Sequence, residues 1–288
     1  MIAVTGANGQ LGKLVIKSLL EKTDASSIVA LVRSQDKAQD LAKLGVQVRH
    51  ADYNQPNTLA PALEGVEKLL LISSSEVGQR AAQHQAVIEA VKNSSVNLLA
   101  YTSILKADSS ALILAQEHKL TEQAIHAANI PAVILRNGWY NENFSQNLAG
   151  VLQSGIVAGA AQDGQFSSAS RADYAQAAAN VLTSPQSQAG KVYELAGDYS
   201  FSQQEYADDV AKQSKQAIQY LALSEKDLAQ AFISHGLPEG LAVVLADSDV
   251  QAQKDWLFDD SGDLSALIGR NTTSMSQSIK EALELAAI

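Results

Sequence analysis

Apolar and polar residues alternate along the first 135 residues in a repeated rhythm of short and long segments. The short runs are apolar and β-rich: IAVT, SIVALVR, VQVRH, VEKLLLIS, VNLLAYTS and PAVILR. The longer stretches between them have helical patterns, around residues 10–22, 35–44, 57–64, 80–93 and 116–129. Near-continuous apolar strands that alternate with helices are typical of a parallel sheet buried on both faces. With right-handed crossovers, the pattern predicts an α/β fold with a doubly wound parallel sheet, the Rossmann fold.

After residue 135 the rhythm changes. RADYAQAAANVL (171–182) predicts a helix, and GKVYELAG (190–197) predicts a strand. Ser202 stands three residues before Glu205, which is the spacing of a capping box at the start of a helix. No Pro- or Gly-rich linker separates the halves. We therefore expect a Rossmann domain over residues 1–135 and a smaller α/β lobe over 136–288 that completes the substrate pocket, with some segments able to return to the sheet.

The composition is that of a globular protein, and it narrows the classes of function. The chain has 288 residues, 46% hydrophobic and 18% charged, which is enough for a sizeable core. A formal net charge of −10 argues against nucleic acid as a partner, because nonspecific binding depends on neutralising phosphates. Cysteine is absent, so disulfides, thiolate catalysis and cysteine-ligated metals are excluded. No apolar run approaches the roughly 18 residues of a membrane helix, and we expect a cytoplasmic protein without a membrane partner.

Three glycines follow the first strand in GANGQLG, at Gly6, Gly9 and Gly12. In a nucleotide-binding turn the first glycine permits the tight turn, the second lets the backbone approach a pyrophosphate, and the third lets the helix pack closely. The N–H groups at the start of that helix then face the phosphates. Taken alone, the spacing also fits an ordinary turn. The surrounding strand–helix–strand pattern favours the nucleotide interpretation and assigns dinucleotide binding to residues 1–135.

The second strand indicates which dinucleotide is bound. An acid at its end would accept hydrogen bonds from the adenosine ribose and repel a 2′-phosphate. Arg33 stands there instead, and its guanidinium can pair with that phosphate bidentately. The alternative is a solvated surface arginine. We predict NADPH as the cofactor in preference to NADH, with Lys37 as a helper and Asp52 placed to touch the adenine.

Read together with GANGQLG, the segments SSSEVGQR (73–80) and LRNGWYNEN (135–143) make the chain resemble the atypical, NmrA-like short-chain dehydrogenases. Within that family it is most similar to the bacterial NAD(P)H:quinone oxidoreductases of the second type, with the triphenylmethane reductases as cousins. The likeness runs nearly end to end. It implies cofactor contacts at Gly6, Ala7, Asn8, Gly9, Gln10, Leu11, Arg33, Ser73, Ser74, Ser75, Asn137, Gly138, Trp139, Tyr140, Asn141, Glu142 and Arg171.

The expected catalytic helix departs from the common dehydrogenase pattern. Ordinary short-chain dehydrogenases have Tyr-x-x-x-Lys after the fifth strand, where this chain has His118 and Glu122. A glutamate cannot lower a neighbouring pKa as the usual lysine does. One interpretation is loss of catalysis, which would leave a regulatory protein that senses NADP(H). The other is a substrate that needs little acid–base help.

A quinone is such a substrate, because it accepts a hydride readily and its reduced anion takes a proton late. We therefore predict direct hydride transfer from NADPH to a small-molecule quinone, without flavin or metal. His118 is the candidate proton donor, since imidazole titrates near neutrality. Tyr140 and Asn143 are candidate hydrogen-bond partners of the substrate. A reductase of bulkier aromatic substrates such as dyes stays open, and so does a homodimer, since many relatives of this fold pair through helices.

Overall fold

The computed structural model describes residues 1–286, and its main sheet has seven strands in that part of the chain. The strands are β1 (Ile2–Val4), β2 (Ile28–Val32), β3 (Gln47–His50), β4 (Lys68–Leu71), β5 (Leu98–Ile104), β6 (Ala132–Asn137) and β8 (Val192–Leu195). Their spatial order is β3-β2-β1-β4-β5-β6-β8. The pairings from β3 through β6 are parallel. This order is that of the Rossmann fold, so the predicted fold class is confirmed.

Helices connect and flank these strands. They are α1 (Gln10–Leu20), α2 (Gln39–Lys43), α3 (Leu59–Ala62), α4 (Arg80–Lys92), α5 (Ile113–Ala127), α6 (Glu142–Ser145), α7 (Leu148–Ser154), α8 (Arg171–Thr183), α9 (Gln203–Ser214), α10 (Glu225–Ser234), α11 (Glu239–Ala252), α12 (Asp263–Ile268) and α13 (Met275–Ala286). The helical stretches predicted in the first half of the chain are present, with ends that differ by a few residues. No helix in the described residues combines the length and apolarity that crossing a bilayer requires.

Strands β2 and β5 are buried along their whole length, as is typical of a parallel sheet that is covered on both faces. All five residues of β2 and all seven of β5 are buried. In register, Ile2 of β1 lies between Ile28 of β2 and Lys68 of β4. Parallel strands place their carboxyl ends at one edge, so the loops after β1, β2 and β4 meet there. That edge holds the glycine loop.

By packing, the described chain divides into two compact units. The first comprises Met1–Ala107, Glu117–Asn137 and Arg171–Tyr193, and the second comprises Asp108–Gln116, Gly138–Ser170 and the residues from Glu194 onward. The segment carrying α8 thus belongs with the sheet. The domain boundary expected at residue 135 stays a prediction.

The second unit has its own small sheet and an aromatic core. β7 (Ile156–Gly159) pairs in parallel with β9 (Gln219–Ala222). The ring of Phe144 packs edge-on against Phe166 and Phe201, at 5.2 Å between centroids in both cases. Helix α9 begins with the predicted capping box, in which Ser202 and Glu205 each bond to the other's backbone N–H. The aromatic contacts form a hydrophobic cluster within this unit.

Candidate cofactor site and catalytic residues

The glycine loop joins β1 to α1 in a conformation that suits a pyrophosphate. Gly6 has φ of +56°, a left-handed conformation that favours glycine. The backbone N–H of Gly9 donates to the Gly6 oxygen at 2.8 Å, which closes the turn. No side chain in the described residues caps the N-terminus of α1. Because first-turn N–H groups lack intrahelical acceptors, this helix start is suited to bind an anion.

Gly12 lets α1 pack directly on the loop. A Cβ at this position would lie 2.7 Å from the Cα of Ala7, and closer still to the carbonyl oxygen of Gly6. Any larger residue would therefore push the helix away from the turn. The third glycine of the motif serves close packing, as the spacing predicts.

A cavity of about 520 Å³ opens at this edge of the sheet, and its described lining comes entirely from the first unit. The loops after β1, β2, β3 and β4 all contribute to it. Among the predicted cofactor residues, those that line it are Gly6, Asn8, Gly9, Gln10, Leu11, Arg33, Ser73, Ser74 and Ser75. Lys37 and Asp52 line it as well. Ala7 is fully buried within the loop.

Arg33 projects at the rim of this cavity, with its side chain 66% exposed. Its Nη1 donates to Oε1 of Glu76 at 2.7 Å. Sequence reasoning missed Glu76, although it stands inside the SSSEVGQR segment. The sequence analysis assigned the Arg33 guanidinium to the adenosine 2′-phosphate, and the structure shows it paired with the Glu76 carboxylate.

The remaining predicted cofactor residues lie elsewhere in the two units. Asn137 ends β6 and is buried, and Arg171 begins α8. Residues 138–142 belong to the second unit, where Trp139 and Tyr140 are half-buried. The amide of the buried Asn141 donates to the Thr273 carbonyl oxygen and to Ser278 Oγ, both at 2.9 Å. Cofactor roles for this group remain predictions.

His118 is buried on α5, with partners at both ring nitrogens. Its Nδ1 lies 2.8 Å from the Tyr101 hydroxyl, and its Nε2 lies 3.4 Å from Nη1 of Arg80. A guanidinium can only donate, so in this contact Nε2 accepts and Nδ1 carries the proton. Burial and the charge of Arg80 lower the pKa of His118 well below its usual range. The ring is neutral near pH 7, and its role as proton donor stays a prediction.

A second buried histidine, His84 on α4, holds the loop that follows β4. Its Nε2 accepts from the backbone N–H of Ser74 at 3.0 Å, so its Nδ1 donates to Thr121 Oγ1 at 2.9 Å. Burial, and then the charge of Arg80, lower the pKa of His84 to about 4. Nε of Arg80 donates to the Ser74 carbonyl oxygen at 2.5 Å. Both backbone groups of Ser74, a cavity-lining residue, are thus fixed by side chains, those of the buried His84 and the half-buried Arg80.

Glu122, at the position of the family lysine, takes part in a buried ion pair. Its Oε2 accepts from Nη2 of Arg136 at 2.7 Å and its Oε1 from Nε of Arg136 at 3.0 Å. Ser103 Oγ donates to the same Oε1 at 2.5 Å. The arrangement is bidentate and satisfies both buried charges. Glu122, which stands where the family has lysine, therefore serves in this chain as the partner of Arg136 and Ser103.

Tyr140 and Asn143, the candidate substrate partners, both lie in the second unit. Tyr140 forms a single bridge with Ala169, and Asn143 is exposed just inside α6. Substrate contacts by these two residues remain predictions. Within the described residues, no group of three or more metal-ligating side chains could hold a metal ion.

Comparison with known proteins places these features in a family. A family model described as NAD(P)H-binding matches residues 6–185. Quinone oxidoreductase 2 of Escherichia coli K12 is 54% identical over 97% of each chain. The crystal structure of the E. coli NADPH-dependent quinone oxidoreductase with NADPH matches with a TM-score of 0.95, covering 98% of this chain and all of that one. Triphenylmethane reductase of Citrobacter sp. in complex with NADP(H) is 37% identical, with a TM-score of 0.93 and coverage of 98% and 100%.

The resemblance predicted from the sequence is thereby confirmed. The family match spans the glycine loop, Arg33 and the SSSEVGQR segment, which together form the cavity described above. The chain belongs to the NAD(P)H-binding family.

Proposed function

We propose that the protein is an NADPH-dependent oxidoreductase that transfers a hydride directly to a quinone, without flavin. The observation that carries the proposal is the cavity in which an uncapped helix N-terminus and Arg33 stand together. The relative that is 54% identical over nearly the whole chain is a quinone oxidoreductase. Identity at that level and coverage supports a common activity as well as a common fold.

The residues present fit the cofactor. The glycine loop packs so closely against α1 that a Cβ at Gly12 would collide with backbone, which keeps the helix amides at the cavity. Oδ1 of Asn8, also in the lining, is buried without a hydrogen-bond partner among the described residues. A buried acceptor of this kind suits a ligand hydroxyl, because an unpaired buried oxygen is costly. Amides for a pyrophosphate and an acceptor for a hydroxyl are both features of a dinucleotide site.

When bound, NADPH supplies the hydride. The first turn of α1 holds the pyrophosphate, and Arg33 with Lys37 pairs with the adenosine 2′-phosphate. Ser73 and Ser75 orient the sugar from a loop whose middle residue, Ser74, is held at both backbone groups. Tyr140 and Asn143 hydrogen-bond the quinone oxygens. The contribution of the chain is mainly positioning, which suits an acceptor as reactive as a quinone.

The reduced substrate also needs a proton. At neutral pH we assign that proton to water, because the buried His118 ring is neutral there. Because burial lowers the pKa of His118 well below its usual range, the imidazolium becomes populated only in acid, and there we assign it a share of the proton transfer. The role proposed for His118 is therefore confined to acidic conditions.

Location and assembly form a further part of the proposal. A net charge of −10 and the absence of cysteine suit a reducing, cytoplasmic setting without a nucleic-acid partner. We also propose a homodimer, as is common among helix-flanked sheets of this kind.

The activity is tested by mixing purified protein and NADPH with benzoquinone, a naphthoquinone or a triphenylmethane dye, with no added flavin. Saturable consumption of NADPH with the quinones is expected, and the absorbance spectrum of the protein should show no flavin. Preferential consumption with the dye would indicate a reductase of bulkier aromatic compounds. NADPH binding without turnover of any acceptor would contradict the proposed activity and favour a protein that senses NADP(H).

A further inference from the structure

Glu76 lies on the rim of the cofactor cavity, at the point where several of its walls meet. Its Oε1 accepts from Arg33 at 2.7 Å. Its Oε2 accepts from Nε2 of Gln83 at 2.8 Å and from Nδ2 of Asn54 at 3.5 Å. These donors follow β2, belong to α4 and follow β3, respectively, and all of them line the cavity. One carboxylate thus joins three separate segments around the site.

The position of Glu76 is fixed by hydrogen bonds to the buried Gln83 and to Ser74. Gln83 is 3% exposed, and its Nε2 also donates to the Asn54 side-chain oxygen at 3.1 Å. The backbone N–H of Glu76 donates to Ser74 Oγ at 3.1 Å. The hydrogen bond from Gln83, with smaller contributions from Asn54 and Arg33, lowers the pKa of Glu76. The carboxylate is therefore ionised at neutral pH and held at the guanidinium.

An anion held against Arg33 occupies the interaction that an adenosine 2′-phosphate would use. The end of β2 lacks an acid, but the β4 loop supplies one in space. A phosphate reaching Arg33 has to displace Glu76 from Nη1 or share the guanidinium with it, and in either case it meets the negative charge of Glu76 nearby. A ribose hydroxyl, in contrast, carries no charge and competes with neither group.

We propose that Glu76 is a specificity-determining residue that competes with the adenosine 2′-phosphate for Arg33 and limits the preference for NADPH over NADH. The proposal rests on the proposed function, since it concerns the same cofactor. It extends that function by identifying a residue that opposes the preferred cofactor.

The expected effect is moderate because the pair is partly exposed. The side chains of Arg33 and Glu76 are 66% and 37% exposed, respectively, so solvent screens their attraction. Loss of the competing pair and of the repulsion on the phosphate should strengthen NADPH binding by about fivefold at low salt. The effect should shrink at high ionic strength, where exposed charges are screened.

The test compares dissociation constants for NADPH and NADH in the wild-type protein and in Glu76→Gln, measured by fluorescence quenching at low and high salt. Glu89→Gln is the matched control, since it removes the same charge from an exposed α4 residue paired with Lys92, outside the cavity lining. We expect Glu76→Gln to lower the NADPH constant about fivefold and to leave the NADH constant within about twofold. Glu89→Gln should change neither.

Arg33→Gln supplies the second background. Because the competition acts through Arg33, Glu76→Gln should have a smaller effect when Arg33 is already replaced. In the Arg33→Gln background it should strengthen NADPH binding by less than half of the fold-change that it produces in the wild-type protein. The inference would be overturned if Glu76→Gln left NADPH affinity unchanged or lowered it, or if it produced its full increase in NADPH affinity in the Arg33→Gln background. The proposed function would stand in either case. Failure of the wild-type protein to bind NADPH would overturn both.

Discussion

Replacing Gly12 with alanine tests whether the glycine loop is built for close packing of α1 on a phosphate-binding turn. The added Cβ would lie 2.7 Å from the Cα of Ala7, about 0.7 Å inside the 3.4 Å at which ordinary contact begins. It would come still closer to the Gly6 oxygen. Both neighbours are backbone atoms, so the loop and the helix have to separate. The amide donors then move away from the position of the pyrophosphate.

Two opposing effects set the size of the change in stability. Alanine improves helix propensity by about 1 kcal/mol over glycine. Overpacking against rigid backbone costs about 1–3 kcal/mol. We expect a net loss of up to about 2 kcal/mol in the free energy of unfolding for Gly12→Ala. Displacement approaching about 1 Å at a binding site can reduce function by about 100-fold, so NADPH affinity should fall by up to about that factor.

The assay pairs urea unfolding with an NADPH titration, and Gly240→Ala is the matched control. Gly240 lies in α11, where an added Cβ would meet nothing within 4 Å. The control should keep wild-type NADPH affinity and gain up to about 1 kcal/mol in stability. If Gly12→Ala matches wild type in both stability and affinity, the loop tolerates a wider separation and the packing argument is refuted.

Three other substitutions test the cavity rim and the buried histidines. Arg33→Asp should weaken NADPH binding at least about tenfold more than NADH binding, because it places an acid at the 2′-phosphate; equal losses would show that Arg33 does not read the phosphate. His118→Phe should preserve kcat at pH 8 to 9 and lower it towards pH 5; an identical profile would remove His118 from the mechanism. His84→Gln should reduce the acid sensitivity of folding, measured by thermal unfolding from pH 7 to pH 4.

The sign of that last effect follows from the pKa of His84. Burial lowers it from 6.5 to about 4 in the folded protein, so between these values the unfolded chain binds the proton that the folded chain rejects. Stability from the neutral ring is complete above pH 6.5 and is lost as the pH falls towards 4, by about 3 kcal/mol in all. An unchanged slope in His84→Gln would mean that other groups cause the acid sensitivity.

Much of the fold could be predicted because its signals are local. The strand–helix rhythm of the first half is readable from apolar periodicity, and the capping box at Ser202 needs only two residues three apart. The return of β8 to the sheet beside β6 was only an open possibility, because strand order depends on pairing between distant segments. The residues gathered around the cavity, such as Arg33 and Ser73, were predictable because parallel strands bring their carboxyl ends to one edge.

The sequence by itself determined the glycine spacing, the missing acid after β2 and the replacement of the family lysine by Glu122, since each is a property of neighbours along the chain. Only the tertiary structure decided that Glu76 meets Arg33, that His84 and His118 are buried and neutral, and that Glu122 pairs with Arg136. The physical reason is that the partners in these contacts lie far apart along the chain. Charge pairing and desolvation depend on which atoms are close in space, and those atoms come from segments separated by up to several dozen residues.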